Sequence, residues 1–203
     1  MKKLSLVLLS IGLCYIDTAR ADLAIVDQSS DHSGNIVVGP TVSIGQGFGQ
    51  TFTPNLAVIN AADVFLECNG TSSTVQLDLF GGLTYSPLSL VASTPPITFS
   101  AHPFQMLEFV FATPVTIVPH AFYTFRVTLL SGSSYSPESA TLPYTGGTAH
   151  NPDGSNINAV DLAFAEGVAV PEPSMWLLLG VGLALLVRFC KRSEQSKRGC
   201  ERS

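Results

Sequence analysis

The residues best suited to chemistry in this 203-residue chain are few and poorly spaced for catalysis. The histidines, His32, His102, His120 and His150, lack the i, i+4 or shorter spacing that puts two imidazoles on one metal. No serine stands in a Gly-x-Ser-x-Gly turn, and no nucleophile is coupled by motif to a base. Asp63 and Glu67 are a candidate carboxylate pair of the glycosidase kind, or else solvated residues of a strand face. Asp153, in the Asn- and Asp-rich loop from His150 to Asn158, is the candidate metal ligand, for calcium, although the loop lacks the oxygen repeat of an EF-hand. Tyr85, Tyr135 and Tyr144 fall in or near loops, where they are candidate stacking platforms for a glycan or simply packing residues. This inventory predicts a protein that is not an enzyme.

The elements that must carry these residues read as strands. Val75, Leu77 and Leu79 alternate with Gln76 and Asp78; Leu107, Phe109 and Phe111 flank Glu108; Tyr123, Phe125, Val127 and Leu129 alternate with Thr124, Arg126 and Thr128. Period two marks strands with one buried and one wet face, so Phe125 is expected in the core and Thr124 at the surface. Val160, Leu162 and Phe164 around Asp161 predict another strand, over 159–165. Glycine and proline clusters at Asn69-Gly70, Gly81-Gly82, Pro95-Pro96, Gly132, Gly146-Gly147 and Pro152-Asp153-Gly154 separate the runs. No amphipathic helix is legible between Asp22 and Ala169, and the pattern predicts an all-β sandwich or barrel.

Charge excludes one class of partner. Between Asp22 and Ala169 stand 11 carboxylates, a single arginine, Arg126, and no lysine, a net charge of −10. Nucleic-acid binding depends on cationic neutralisation of phosphates and is excluded by that balance. The same field suits solubility or divalent cations gathered outside the cell. Cys68 is the one cysteine of this region, which leaves no internal disulfide, and its apolar neighbours in the alternation predict a buried thiol.

Both ends read as targeting segments. Lys2 and Lys3, an apolar run from Leu4 to Ile16, and Ala19-Arg20-Ala21 fit a secretory signal peptide cleaved after Ala21. At the other end, Val170-Pro171-Glu172-Pro173 precedes an apolar run from Met175 to Val187, then the basic residues Arg188, Lys191 and Arg192. As a helix that run covers roughly 20 Å at about 1.5 Å per residue, short against a hydrocarbon core of about 30 Å. The basic residues are expected to stay cytoplasmic, with the preceding domain outside. Pro171 and Pro173 hold the approach extended, as a cleavage site requires.

This ending resembles the PEP-CTERM sorting domain of exported bacterial proteins. The resemblance implies processing by a membrane-embedded exosortase, and a place at the cell surface or in the extracellular matrix. Gly49-Gln50-Thr51-Phe52-Thr53-Pro54, Phe111-Ala112-Thr113-Pro114-Val115, Phe122-Tyr123-Thr124-Phe125 and Asp161-Leu162-Ala163-Phe164 are similar in order to jelly-roll-like domains found ahead of such tails. Leu142-Pro143-Tyr144-Thr145-Gly146 also matches a sortase signal, LPxTG, but the expected strand over 159–165 separates it from any membrane run, so it reads as a strand entering a Gly-Gly turn.

The expected organisation is a signal peptide over 1–21, a jelly-roll-like antiparallel β-sandwich over 22–167, a sorting and anchor segment with a short transmembrane helix over 168–192, and a basic polar tail over 193–203. The function expected is that of a non-catalytic exported surface or matrix protein that meets an exosortase and the membrane. The alternative is a carbohydrate-binding module for extracellular polysaccharide, assisted by calcium.

Overall fold

The computed structural model describes residues 22–30, 37–38, 41–100, 104–140, 144–157 and 160–170. The signal peptide with Ala19 and Ala21 lies outside the described residues. So do Pro171, Glu172 and Pro173, the apolar run, and Arg188, Lys191 and Arg192. Among the described residues no helix is long and apolar enough to cross a membrane. Residues Asp22–Val170 form one compact unit.

In chain order the strands are β1 (Asp22–Ser30), β2 (Val37–Val38), β3 (Gly47–Phe52), β4 (Val58–Cys68), β5 (Ser72–Gly81), β6 (Leu90–Ser93) and β7 (Ile97–Ser100). They continue as β8 (Gln105–Thr116), β9 (Tyr123–Gly132), β10 (Tyr135–Ala140), β11 (Ala149–His150), β12 (Asp161–Leu162) and β13 (Phe164–Val170). A 3-10 turn at Pro87–Ser89 precedes β6. One sheet has seven strands, with β13 between β1 and β4, β8 on the other side of β4, and β10 with β2 and β12 completing it. The second sheet has six, in the order β11-β3-β9-β5-β6, with β7 also on β5. All the pairings are antiparallel, and the chain changes sheet from β3 to β4, β4 to β5, and β8 to β9.

The alternation read from the sequence builds the space between the sheets. Val75, Leu77 and Leu79 of β5, Phe125, Val127 and Leu129 of β9, and Leu107, Phe109 and Phe111 of β8 are all buried. Phe52, Phe125 and Phe164 form its aromatic centre, with ring centroids 5.4–6.4 Å apart. Truncating such a ring to alanine costs about 3–5 kcal/mol, because the hole left behind collapses only in part. Cys68 is buried and free.

Four expectations need correction. Thr124 is not at the surface: it is 0 % exposed, because the outer face of β3 and β9 is roofed by Tyr85 and by the segment around His150. Tyr135 is no surface platform: it too is 0 % exposed, with its hydroxyl donated to the carbonyl of Val127. The strand expected over 159–165 is split between two strands, the two-residue β12 and the seven-residue β13, with Ala163 between them. The last strand continues to Val170, three residues past the expected domain end.

Candidate functional site

Strand β13 leads directly into the tail. Its partners fix it on both sides, with Asp22 of β1 opposite Val170 and Ala61 of β4 opposite Gly167. Gly167 is required there, since a Cβ would collide with the Ile25 carbonyl of β1. Beyond the last rung with β4, a side chain takes over from the ladder. Asn60 donates from Nδ2 to the Ala169 carbonyl (2.8 Å) and accepts from the Ala169 N–H at Oδ1 (2.6 Å). An asparagine amide has one donor side and one acceptor side, so it can imitate a strand partner.

Phe164 and Glu166 share a face of β13, by period two, and that face looks into the core. Glu166 is therefore a carboxyl in an apolar phase, and it is 0 % exposed. Burial, together with the Asp27 carboxylate alongside, pushes its pKa up to about 8. Asp27 reaches it because β1 shifts register between Val26 and Gln28. Asp27 Oδ2 accepts the N–H groups of Asn55 (2.8 Å) and Leu56 (2.9 Å), while neither carboxyl oxygen of buried Glu166 has a hydrogen-bond partner. Tyr144 closes this region. Its hydroxyl contacts Gln28 Oε1 at 3.1 Å and its ring stands edge-on to Phe164 at 5.3 Å. Its N–H is donated to Asp161 Oδ2 (2.7 Å), while Asp161 Oδ1 accepts from Gln50 Nε2 (2.9 Å).

A second buried polar cluster lies on the outer face of the other sheet. His150 Nε2 is 2.5 Å from Thr51 Oγ1, which is 3.0 Å from Thr124 Oγ1, which donates to the Gly82 carbonyl at 2.7 Å. His150 Nδ1 is 3.4 Å from the Gly154 carbonyl. These contacts would use one proton more than two hydroxyls and a neutral imidazole possess. Thr124 gives its proton to Gly82, so Thr51 gives to Thr124 and Nε2–H gives to Thr51. That leaves Nδ1 facing the Gly154 carbonyl at the longest distance of the set. Burial accordingly lowers the His150 pKa, and the Gly154 carbonyl opposes it. Tyr85 covers this cluster. Its ring is 5.7 Å from His150 and 6.0 Å from Phe80, and the Arg126 guanidinium carbon is 5.1 Å from its centroid. Burial raises the Tyr85 pKa, and Arg126 opposes the rise.

The remaining candidates are dispersed. Asp63 and Glu67 lie on one strand, β4, and four residues at about 3.3 Å each place their backbones roughly 13 Å apart. Asp153 is exposed and spends Oδ1 on the N–H (2.9 Å) and hydroxyl (2.6 Å) of Ser155, a local turn that lowers its pKa. Among the described residues no group of three or more His, Cys, Asp or Glu is placed to hold a metal ion. The sequence reading missed Asn60, Glu166 and the Thr51–His150 contact. Only Glu166 carried a visible signal, a carboxylate two residues after Phe164 in the apolar phase of its strand.

Comparison with known proteins adds one finding at the end of β13. Residues 169–192 match the model of the PEP-CTERM protein-sorting motif. No curated protein matches the chain. The match starts on Ala169, the residue held by Asn60, so the motif begins inside the final strand. The chain is therefore an exported protein that carries a PEP-CTERM sorting motif and is processed by an exosortase.

Proposed function

We propose that Asp22–Val170 is a non-catalytic surface or matrix domain, delivered by its tail and released from the membrane when the tail is cut. The observation that carries this is the sorting motif, continuous with the last strand of a folded unit. The apolar run from Met175 to Val187 holds the precursor in the inner membrane, with Arg188, Lys191 and Arg192 as the cytoplasmic stop. The domain is a jelly roll. Its main strands follow β1-β13-β4-β8 in one sheet and β3-β9-β5-β6 in the other, so the chain crosses between layers at every step among these strands except β5 to β6.

The polar clusters support a role without catalysis. Thr51 beside His150 is the nearest approach to a nucleophile and base, and both are buried where no substrate reaches them. The Asp27–Glu166 pair is likewise closed, with Glu166 buried. A glycan would have to use Tyr85 or Tyr144, whose rings and hydroxyls are engaged inside the domain. Intact-mass measurement of the protein from its native cell reports both cleavage sites and any attached group. Glu172→Ala should leave uncut precursor in the inner membrane, and normal maturation of that variant would defeat the proposal.

A further inference from the structure

The sandwich has two unlike ends. Loops 53–57, 82–89 and 117–122 lie at one, because β3, β5 and β8 all finish there and β4 and β9 start there. Val170 leaves the domain at the same end: β13 runs antiparallel to β4, and Gly167 already stands opposite Ala61, close to the start of β4. Six of the thirteen exposed large apolar side chains among the described residues lie at this end. Leu88 is 100 % exposed, Val118 64 % and Phe122 49 %, and Leu83, Val58 and Val170 are exposed with them. Gly82 donates its N–H to the Phe122 carbonyl (2.8 Å), which sets Leu83 beside Phe122. The opposite end is formed by polar turns at Asn69-Gly70 and Ser131-Gly132-Ser133-Ser134, with Ile44 exposed nearby.

The three loops at the tail end contain no Asp, Glu, Lys or Arg, in a region whose net charge is −10. A group of exposed apolar side chains on an acidic domain marks a surface that meets something apolar.

We infer that this end of the sandwich rests on the outer leaflet of the membrane that holds the tail, with Leu83, Leu88, Val118 and Phe122 entering the interface. The length of the connection selects lipid as the occupant. Four residues, Pro171 to Ser174, separate Val170 from Met175, where the apolar run begins, and an extended chain covers at most about 3.5 Å for each of the five steps between them. The connection is therefore at most roughly 18 Å long. Side chains of this kind enter the headgroup boundary with a binding strength that follows the apolar area buried. The inference rests on the proposed retention of the tail in the membrane.

The test uses the protein with its tail, reconstituted into phosphatidylethanolamine–phosphatidylglycerol vesicles. Trp176 is the single tryptophan, so Trp176→Phe gives a silent background for Phe122→Trp, Val118→Trp and, on β9 away from the patch, Leu130→Trp. The expected result is blue-shifted emission from Phe122→Trp and Val118→Trp, with quenching by brominated lipids several-fold stronger than for Leu130→Trp. Vesicle flotation is measured on the same samples. Protein that floats without selective quenching at positions 118 and 122 overturns the lipid contact and leaves the tail reading standing. Protein that fails to float overturns both. A blue shift without lipid quenching shows that a second copy covers the patch, and that also overturns the inference.

Discussion

The Asp27–Glu166 pair and the Thr51–Thr124–His150 chain are both buried, and both join strands distant in sequence. Their chemistry differs in what can move. Hydroxyl protons rotate, so the threonine chain orders itself around a neutral imidazole with one weak contact left over. A carboxyl wedged against a second carboxylate has no such freedom and must keep its proton. The two clusters therefore respond to pH with opposite signs. Glu166, raised from 4.5 to about 8, contributes stability that is fully present below 4.5 and is lost as pH rises towards 8. His150, lowered from 6.5, contributes stability that is present above 6.5 and is lost as pH falls through its folded value. Between 4.5 and 6.5 the two slopes oppose each other.

The largest effect expected is a gain. Glu166→Gln keeps the shape of the side chain and removes the charge that burial and the neighbouring Asp27 oppose. At about 1.36 kcal/mol per pKa unit it should stabilise the domain by roughly 2–4 kcal/mol at pH 7, and by more at pH 9. Urea denaturation at pH 5 and pH 8.5 reads this, and an unchanged alkaline slope in the variant would break the comparison. Thr51→Val comes next, with a loss of about 1–3 kcal/mol from a buried network left without its middle hydroxyl. Its alkaline slope should match the unmodified protein, because the Glu166 cluster is untouched. Asn60→Ala removes two hydrogen bonds that carry no titrating group. A loss of about 1–2 kcal/mol with no pH dependence is expected, with faster proteolysis near Val170. Tyr85→Phe should be smallest, below about 0.5 kcal/mol, because its hydroxyl contacts at 3.3 and 3.4 Å are long while the ring contacts persist.

Period two made the core legible: Val75, Leu77, Leu79 and Phe125 fall on the buried face that their alternation assigns. The tail was legible because its signal is local, a proline-flanked acid followed by an apolar run and basic residues. Thr124 misled because alternation separates the faces of a sheet and does not report what lies over them. Its roof comes from Tyr85 and His150, 39 and 26 residues away in sequence. Tyr135 misled in the same way, since a glycine- and serine-rich neighbourhood reads as loop while its ring passes into the core. Asn60 carried no signal at all, because its partner lies 109 residues downstream.

The place of β13, between β1 and β4, bears on how the domain carries load. Asp22 and Val170 are cross-strand partners, so both ends of the folded chain leave by one corner. A pull between those two ends would open the β1–β13 ladder like a zipper, one rung at a time. Tension between the tail and a partner gripping the far end of the sandwich acts differently. It runs along β13, and the rungs to β1 and β4 must then yield together, in shear. Attachment through the C-terminus thus sets the stronger mechanical axis of the sheet in line with the tether.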